Sequence, residues 1–107
     1  MDAMKMQTVT VRSSKPPVVK IDTAIESAYV RFSSNRVVKT FAPDEDEGHV
    51  ITIDLDENDQ VVGVELLGVS EFGIRNLLLK TPISVPPVLL DKARYIAAQR
   101  PKALAAA

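Results

Sequence analysis

The sequence predicts an α+β domain, in which a small antiparallel β-sheet of about four strands carries helices packed on one face. Two β-branched runs, at residues 50–55 and 61–67, flank a turn and alternate between apolar and polar residues, as strands with one buried face do. Residues 71–100 instead combine leucines at helical spacing with prolines. A chain of 107 residues, of which 46% are hydrophobic, fits a single domain over residues 1–107.

The N-terminal part of the chain predicts short extended segments. Residues 7–12 alternate and indicate a short strand, and the prolines at positions 16 and 17 then interrupt the chain because they lack backbone donors. Residues 18–21 form a second extended run. Asp22 follows as the N-cap of one helical turn.

Two further segments predict a second hairpin. Residues 28–32 alternate as a strand, and residues 36–41 follow after a Ser-Ser-Asn turn signal. A two-residue turn would place Lys39 opposite Val30, whereas a three-residue turn pairs Val30 with Val38. We prefer the three-residue turn because it pairs two apolar residues.

The acidic stretch between residues 54 and 65 has two mutually exclusive interpretations. Counted as an EF-hand loop from Asp54, it places Asp56, Asn58 and Glu65 at ligand positions 3, 5 and 12. Asp59 then occupies position 6, where the calcium loop needs glycine for a left-handed turn. The alternative is a β-hairpin.

The flanking segments favour the hairpin. Both alternate with a period of two, whereas an EF-hand requires a helix on each side of its loop. With Asn58 and Asp59 at the centre of a two-residue turn, three apolar pairs share one face: Ile51 with Leu66, Ile53 with Val64, and Leu55 with Val62. The other face carries Thr52 with Glu65, Asp54 with Gly63, and Asp56 with Val61. A shift of one residue would mix the two faces, so the register is strongly specified.

The C-terminal third predicts a helical arm over residues 71–100. Ser70 is placed to cap a helix over residues 71–79, whose buried stripe would contain Ile74, Leu77 and Leu78. Further prolines end this helix, and Pro87 favours the start of a last helix reaching about residue 99. We expect both helices to cover the apolar sheet face. The alternative is that part of the arm packs on another subunit.

Composition narrows the classes of function. A net charge of −1 argues against strong non-specific binding of nucleic acid or anionic lipid. No apolar run approaches the roughly 20 residues of a membrane-spanning helix, and no signal-peptide segment is visible. The absence of cysteine excludes disulfides and thiol chemistry. We therefore expect a cytoplasmic protein without membrane or nucleic-acid partners, with residues 1–6 and 101–107 disordered.

The order of these segments resembles the YuzE-like bacterial family of unknown function. The resemblance covers roughly residues 18–70, and its most specific part is Gly63-Val64-Glu65 following Asp54 and Asp56. One departure is Gln60, which stands where the family has a turn glycine. The resemblance implies a curved antiparallel sheet and no established activity. Members often occur beside small toxin-like proteins, which implies an antitoxin or partner-binding role.

These observations define a candidate interaction face: Tyr29, Arg31, Asp54, Asp56 and Glu65. Paired carboxylates can perform acid–base chemistry only within a cleft, so we expect no catalytic, cofactor-binding or metal-binding residues and no enzyme. The predicted function is protein binding, as a homodimer or as the antitoxin-like partner of a small toxin-like protein. The alternative is a small-ligand or metal-binding module that uses the acidic sheet face.

Overall fold

The computed structural model describes residues 9–11, 15–43 and 50–97. The main sheet contains β2 (Val18–Asp22), β3 (Ser27–Arg31), β4 (Lys39–Phe41), β5 (Val50–Leu55), β6 (Val61–Leu67) and β8 (Arg94–Ala97). Its strand order is β4-β5-β6-β3-β2-β8. A second, two-stranded sheet pairs β1 (Val9–Thr10) in parallel with β7 (Ile83–Ser84). The expected disorder of residues 1–6 and 101–107 concerns segments outside the described residues.

The predicted fold class, α+β with about four antiparallel strands and helices on one face, is wrong. The described residues are mostly β-structure, and their two short α-helices are α1 (Ile74–Leu79) and α2 (Pro87–Leu90). Neither helix is long and apolar enough to cross a membrane. The main sheet is mixed, since β8 runs parallel to β2 while the other neighbours are antiparallel.

The last predicted helix is the main source of this error. Only its first turn forms, as α2, and residues 94–97 then become strand β8. Arg94 N donates to the Pro17 carbonyl at 3.0 Å, and the pairing continues with Val19 opposite Tyr95. The exposed edge of β2 thus offers backbone partners to a segment rich in strand-forming residues, and tertiary pairing overrides helical spacing.

The hairpin of β5 and β6 confirms the central prediction, with one irregularity. Two of the predicted apolar pairs occur as expected: Ile51 with Leu66, and Ile53 with Val64. Leu55 lies opposite Val61 instead of Val62, because the register shifts after Asp54. The carbonyl of the extra residue, Val62, accepts hydrogen bonds from Phe32 N at 2.8 Å and Ser33 N at 3.2 Å. The bulge therefore joins β6 to the end of β3.

The hairpin turn has three residues, 57–59, where two were predicted. Asp59 N donates to the Asp56 carbonyl at 3.0 Å, and Asp56 N donates to the Gln60 carbonyl at 2.9 Å. Asp59 takes the left-handed conformation, with φ of 61°. Asp tolerates this conformation better than most residues with a side chain, so a turn glycine is not required here.

The predicted hairpin of residues 28–32 with 36–41 is wrong. Strand β3 lies between β2 and β6, and β4 pairs with β5 at the far edge. Val30 therefore lies opposite Val19 and Val64, not Val38. Val19, Val30, Val64 and Ile53 form one row across four strands, and all four are fully buried. This apolar row stabilises the observed order better than an exposed Val38 would.

One face of the sheet is buried under the C-terminal segments. The predicted stripe of α1 is confirmed, since Ile74, Leu77 and Leu78 are buried. Together with Val69, Ile83 and Val85 they pack against the apolar residues of β2, β3, β5 and β6. The core therefore lies between the sheet and the segment that follows β6, and none of the described segments covers the opposite face of the sheet.

Helix α1 is capped by a residue that the sequence does not indicate. Its N-cap is Gly73, which has no side chain to cap the helix, whereas Ser70 was predicted for this role. Ile74 N instead donates to the Tyr95 hydroxyl at 3.0 Å. Strand β8 thus satisfies one of the free amides at the start of α1.

Replacing Tyr95 with Phe should destabilise the fold by about 0.5–1 kcal/mol, because Ile74 N loses its acceptor while the ring is kept. Urea denaturation followed by circular dichroism measures the change. The matched control is Ser70→Ala, which should leave the free energy of unfolding within about 0.3 kcal/mol. A larger loss for Ser70→Ala than for Tyr95→Phe would show that Ser70 is the cap after all.

Candidate functional site

The candidate site is the uncovered side of the six-stranded sheet, called the open face below. It consists of two neighbouring rows of side chains that cross the strands. One row is Thr52, Glu65, Tyr29, Lys20 and Ile96, and the other is Thr40, Asp54, Gly63, Arg31, Val18 and Arg94. Along β2, β3, β5 and β6 these residues alternate with core residues, which directs them away from the core, and the residues of β4 and β8 continue the same rows.

A hydrogen-bonded network crosses the centre of the open face. The Tyr29 hydroxyl donates to Asp54 Oδ2 at 2.8 Å, and Thr40 Oγ1 donates to Asp54 Oδ1 at 2.6 Å. The network joins β3 to β5 and β4, passing over β6, which lies between β3 and β5. Both carboxylate oxygens of Asp54 therefore accept hydrogen bonds from the protein itself.

Gly63 allows this network to form. A Cβ atom at this position would overlap the ring and the hydroxyl of Tyr29. Gly63 lies opposite both Arg31 on β3 and Asp54 on β5, so the Tyr29 side chain crosses it to reach Asp54. The glycine is needed here for space, and the ring in turn covers the strand where a side chain is missing.

Tyr29 is held in its protonated form. Burial raises the pKa of Tyr29, and the hydrogen bond to Asp54 and the negative charge of Asp54 raise it further. The nearby Arg31 lowers the pKa of Tyr29 to a smaller extent, and Glu65 raises it. The phenol therefore acts as a hydrogen-bond donor at physiological pH and is not suited to act as a general base.

Asp56 lies apart from the open face, although the sequence predicted it there. It is 4% exposed and belongs to the hairpin turn. Its Oδ1 accepts from Asn58 N at 2.8 Å and Gln60 N at 3.0 Å, while Oδ2 accepts from Asn35 Nδ2 at 2.9 Å. The bond from Asn35, followed by that from Gln60 N, lowers the pKa of the Asp56 carboxyl. Asp56 is thus a structural residue that holds the turn against the segment after β3.

The structure brings the other predicted residues together. Tyr29 lies directly opposite Glu65, and Arg31 lies opposite Gly63 one row further along. Asp54 and Glu65 are diagonal neighbours, as predicted. Thr40 was missed, because its place beside Asp54 follows only from the pairing of β4 with β5.

Within residues 9–11, 15–43 and 50–97, the acidic residues of the open face find no third ligand for a metal ion. Among the described residues, no three His, Cys, Asp or Glu side chains come together in a way that could hold an ion. Asp54 is directed to the open face and Asp56 into the turn, so the spacing of an EF-hand loop is not realised. The strands on both sides of the turn confirm the hairpin interpretation.

Two depressions of the surface lie away from the open-face network. One, of about 370 Å³, is lined by Asn35, Arg36, Val38, Asp56, Glu57 and Asn58. The other, of about 390 Å³, lies where β2 and β8 end, beside Asp22 and Ala97. Neither contains Tyr29, Asp54 or Glu65, which a ligand site on the acidic face would require.

The described residues thus form a mostly β domain whose mixed sheet has one buried and one open face. Residues 19–70 match a protein family described as a protein of unknown function (DUF2283). The match extends from β2 to just beyond β6, so α1, α2 and β8 lie outside it. It confirms the expectation of an uncharacterised family over this region, while the YuzE-like assignment stays a prediction. No curated protein and no solved structure matches the chain.

Replacing Tyr29 with Phe should cost about 1–2 kcal/mol near neutral pH, because the bond to the Asp54 carboxylate is lost. The pKa of Tyr29 in the folded chain lies above the ordinary value of 10.0. The unaltered chain should therefore keep its full stability advantage over Tyr29→Phe below about pH 10 and lose that advantage as the pH rises further. Urea denaturation of both proteins at several pH values from 8 to 11 measures this. A difference in unfolding free energy that stays constant over this range would contradict it.

Replacing Asp56 with Asn should lower the urea midpoint at pH 7, because an amide cannot serve all three donors as a carboxylate does. The pKa of Asp56 is lowered in the folded chain, so its contribution is present above the ordinary aspartate range and is lost as the pH falls. The matched control is Asp59→Asn in the same turn. Asp59 forms an exposed ion pair with Lys39 at 2.7 Å, whose loss should be nearly neutral. Equal effects of the two substitutions would refute this role for Asp56.

Proposed function

We propose that the protein is a small binding module that uses the open face of its sheet to bind another protein. The observation that carries this proposal is the exposure of Lys20, Arg31, Glu65 and Ile96 around the half-buried Tyr29. All belong to a face that the rest of the described chain leaves uncovered. Aromatic residues and arginine are enriched where proteins bind one another.

The internal bonds of the open face support this role. Tyr29, Asp54 and Thr40 are hydrogen-bonded to one another, so their side chains are ordered before any partner arrives. Binding then costs less conformational entropy than at a face of free side chains. The bound protein can be a second copy of the chain or a different protein, including the toxin-like partner that the YuzE-like resemblance implies.

The alternative proposal, a small-ligand or metal-binding module, has less support. Each carboxylate oxygen of Asp54 already accepts one hydrogen bond, from Tyr29 or from Thr40, so a ligand that coordinates Asp54 has fewer free lone pairs to bind. The protein-binding proposal does not require a ligand to coordinate Asp54. It also needs no catalytic step, so no residue is given a catalytic role.

The test combines two measurements on the same variants. The chain is co-expressed and co-purified with the protein encoded beside it, and its self-association is followed by sedimentation equilibrium. The double variant Arg31→Ala/Glu65→Ala should weaken whichever complex forms by about tenfold or more, since it removes two exposed charges from the face. The control is Leu79→Ala, which removes a side chain that is 82% exposed on α1, away from the open face.

Circular dichroism should show that both variants are folded. The proposal fails if neither measurement detects a complex with the unaltered chain. It also fails if Leu79→Ala weakens the complex while the double variant does not.

A further inference from the structure

We infer that the partner of the open face is a second copy of this chain, packed face to face about a two-fold axis parallel to the strands. This inference rests on the proposed function and names its partner. The observation behind it is the distribution of charge across the sheet.

The charges of the open face are divided between its two halves. Asp54 and Glu65 lie on β5 and β6, while Arg31, Lys20 and Arg94 lie on β3, β2 and β8, together with Asp22 at the end of β2. The boundary falls between β6 and β3, in the middle of the strand order. Among the described residues, the first half of the face is therefore acidic and the second half has a net positive charge, although the net charge of the chain is only −1.

A two-fold axis along this boundary makes the face complementary to itself. Such an axis, lying between the two sheets and parallel to the strands, places β6 over β3 of the second copy and β5 over its β2. Glu65 then lies diagonally across from Arg31 of the second copy, and Asp54 lies diagonally across from its Lys20, so long side chains can reach each other. Each charge pair occurs twice, as in any isologous interface. An axis across the strands would instead place acidic residues over acidic ones.

The shape of the face also suits a second sheet. The Tyr29 ring lies across Gly63 instead of standing above the strands, so the centre of the face is flat. Apolar groups lie near its borders, with Ile96 44% exposed on β8 and Val50 41% exposed on β5. Stacked sheets approach to about 10 Å, a spacing that side chains of this size fill.

The area indicates how strong the dimer should be. Six strands about 4.8 Å apart and about 17 Å long give a footprint of roughly 400 Å² in projection. Counted on both copies this is roughly 800 Å², which is smaller than the roughly 1,200–2,000 Å² of stable interfaces, so we expect a weak dimer that dissociates at about tens of micromolar. Higher salt should weaken the dimer, because salt screens the attraction between its charge pairs.

The test exchanges charges between copies, using sedimentation equilibrium from about 1 to about 100 µM. The unaltered chain should dimerise. In the Glu65→Arg variant, the new arginine of one copy faces Arg31 of the other copy. In the Arg31→Glu variant, the new glutamate of one copy faces Glu65 of the other copy. Each variant by itself should dimerise at least about tenfold more weakly. An equimolar mixture of the two should recover the dimer, because positions 65 and 31 then carry opposite charges at both contacts between the unlike copies.

The matched control is Arg75→Glu. This substitution reverses a charge on α1, away from the open face, where Arg75 forms an exposed ion pair with Asp91. It should leave the dimer unchanged. A chain that stays strictly monomeric at the highest concentration overturns the inference, as does a mixture of the two reversed variants that stays monomeric. If the chain is monomeric but the complex with the neighbouring protein still requires Arg31 and Glu65, only the identity of the partner fails. If no complex depends on these residues, the proposed function fails as well.

Discussion

The pairing of β5 with β6 decides which side of the sheet every neighbouring side chain occupies. Ile51 and Ile53 point into the core because their partners are Leu66 and Val64, and Asp54 is thereby turned to the opposite side. A shift by one residue would bury the Asp54 carboxylate and expose Ile51 and Ile53 to water. Both changes would destabilise the folded state. Strand β3 then adds to β6 in the same register, so Val30 continues the buried row and Tyr29 the open one.

The two faces of the sheet are stabilised by different interactions. The core side depends on apolar burial, with the row from Ile53 to Val19 excluded from water. The open side depends on hydrogen bonds that cross β6, where only a glycine leaves room for the Tyr29 ring. The open face is consequently ordered without being covered. The proposed binding would cost less conformational entropy at such a face than at a mobile polar surface.

The acidic residues Asp54 and Asp56 have different structural roles, one on the open face and the other in the hairpin turn. Asp56 accepts two hydrogen bonds from backbone amides of the turn and a third from Asn35, which keeps the turn close to the segment after β3. Asp54 lies two residues earlier, and its side chain accepts from the hydroxyls of Thr40 on β4 and Tyr29 on β3. The left-handed conformation of Asp59 completes the turn between Asp56 and Gln60. Residues that are adjacent in an acidic motif therefore differ in both surroundings and role.

The sequence by itself determined the central hairpin, two of its three apolar pairs and the buried stripe of α1, because alternation and helical spacing are local properties of the chain. That Tyr29 and Arg31 lie beside Glu65 and Gly63 depends on the pairing of β3 with β6, which is not local. Only the tertiary structure decided the strand order, the conversion of residues 94–97 into β8, and the positions of Thr40 and Asp56. Those outcomes depend on which strand edge offers backbone partners and on a one-residue bulge at Val62. Neither the choice of strand edge nor the bulge produces a periodic pattern in the sequence, because both depend on interactions between segments that are far apart in the chain.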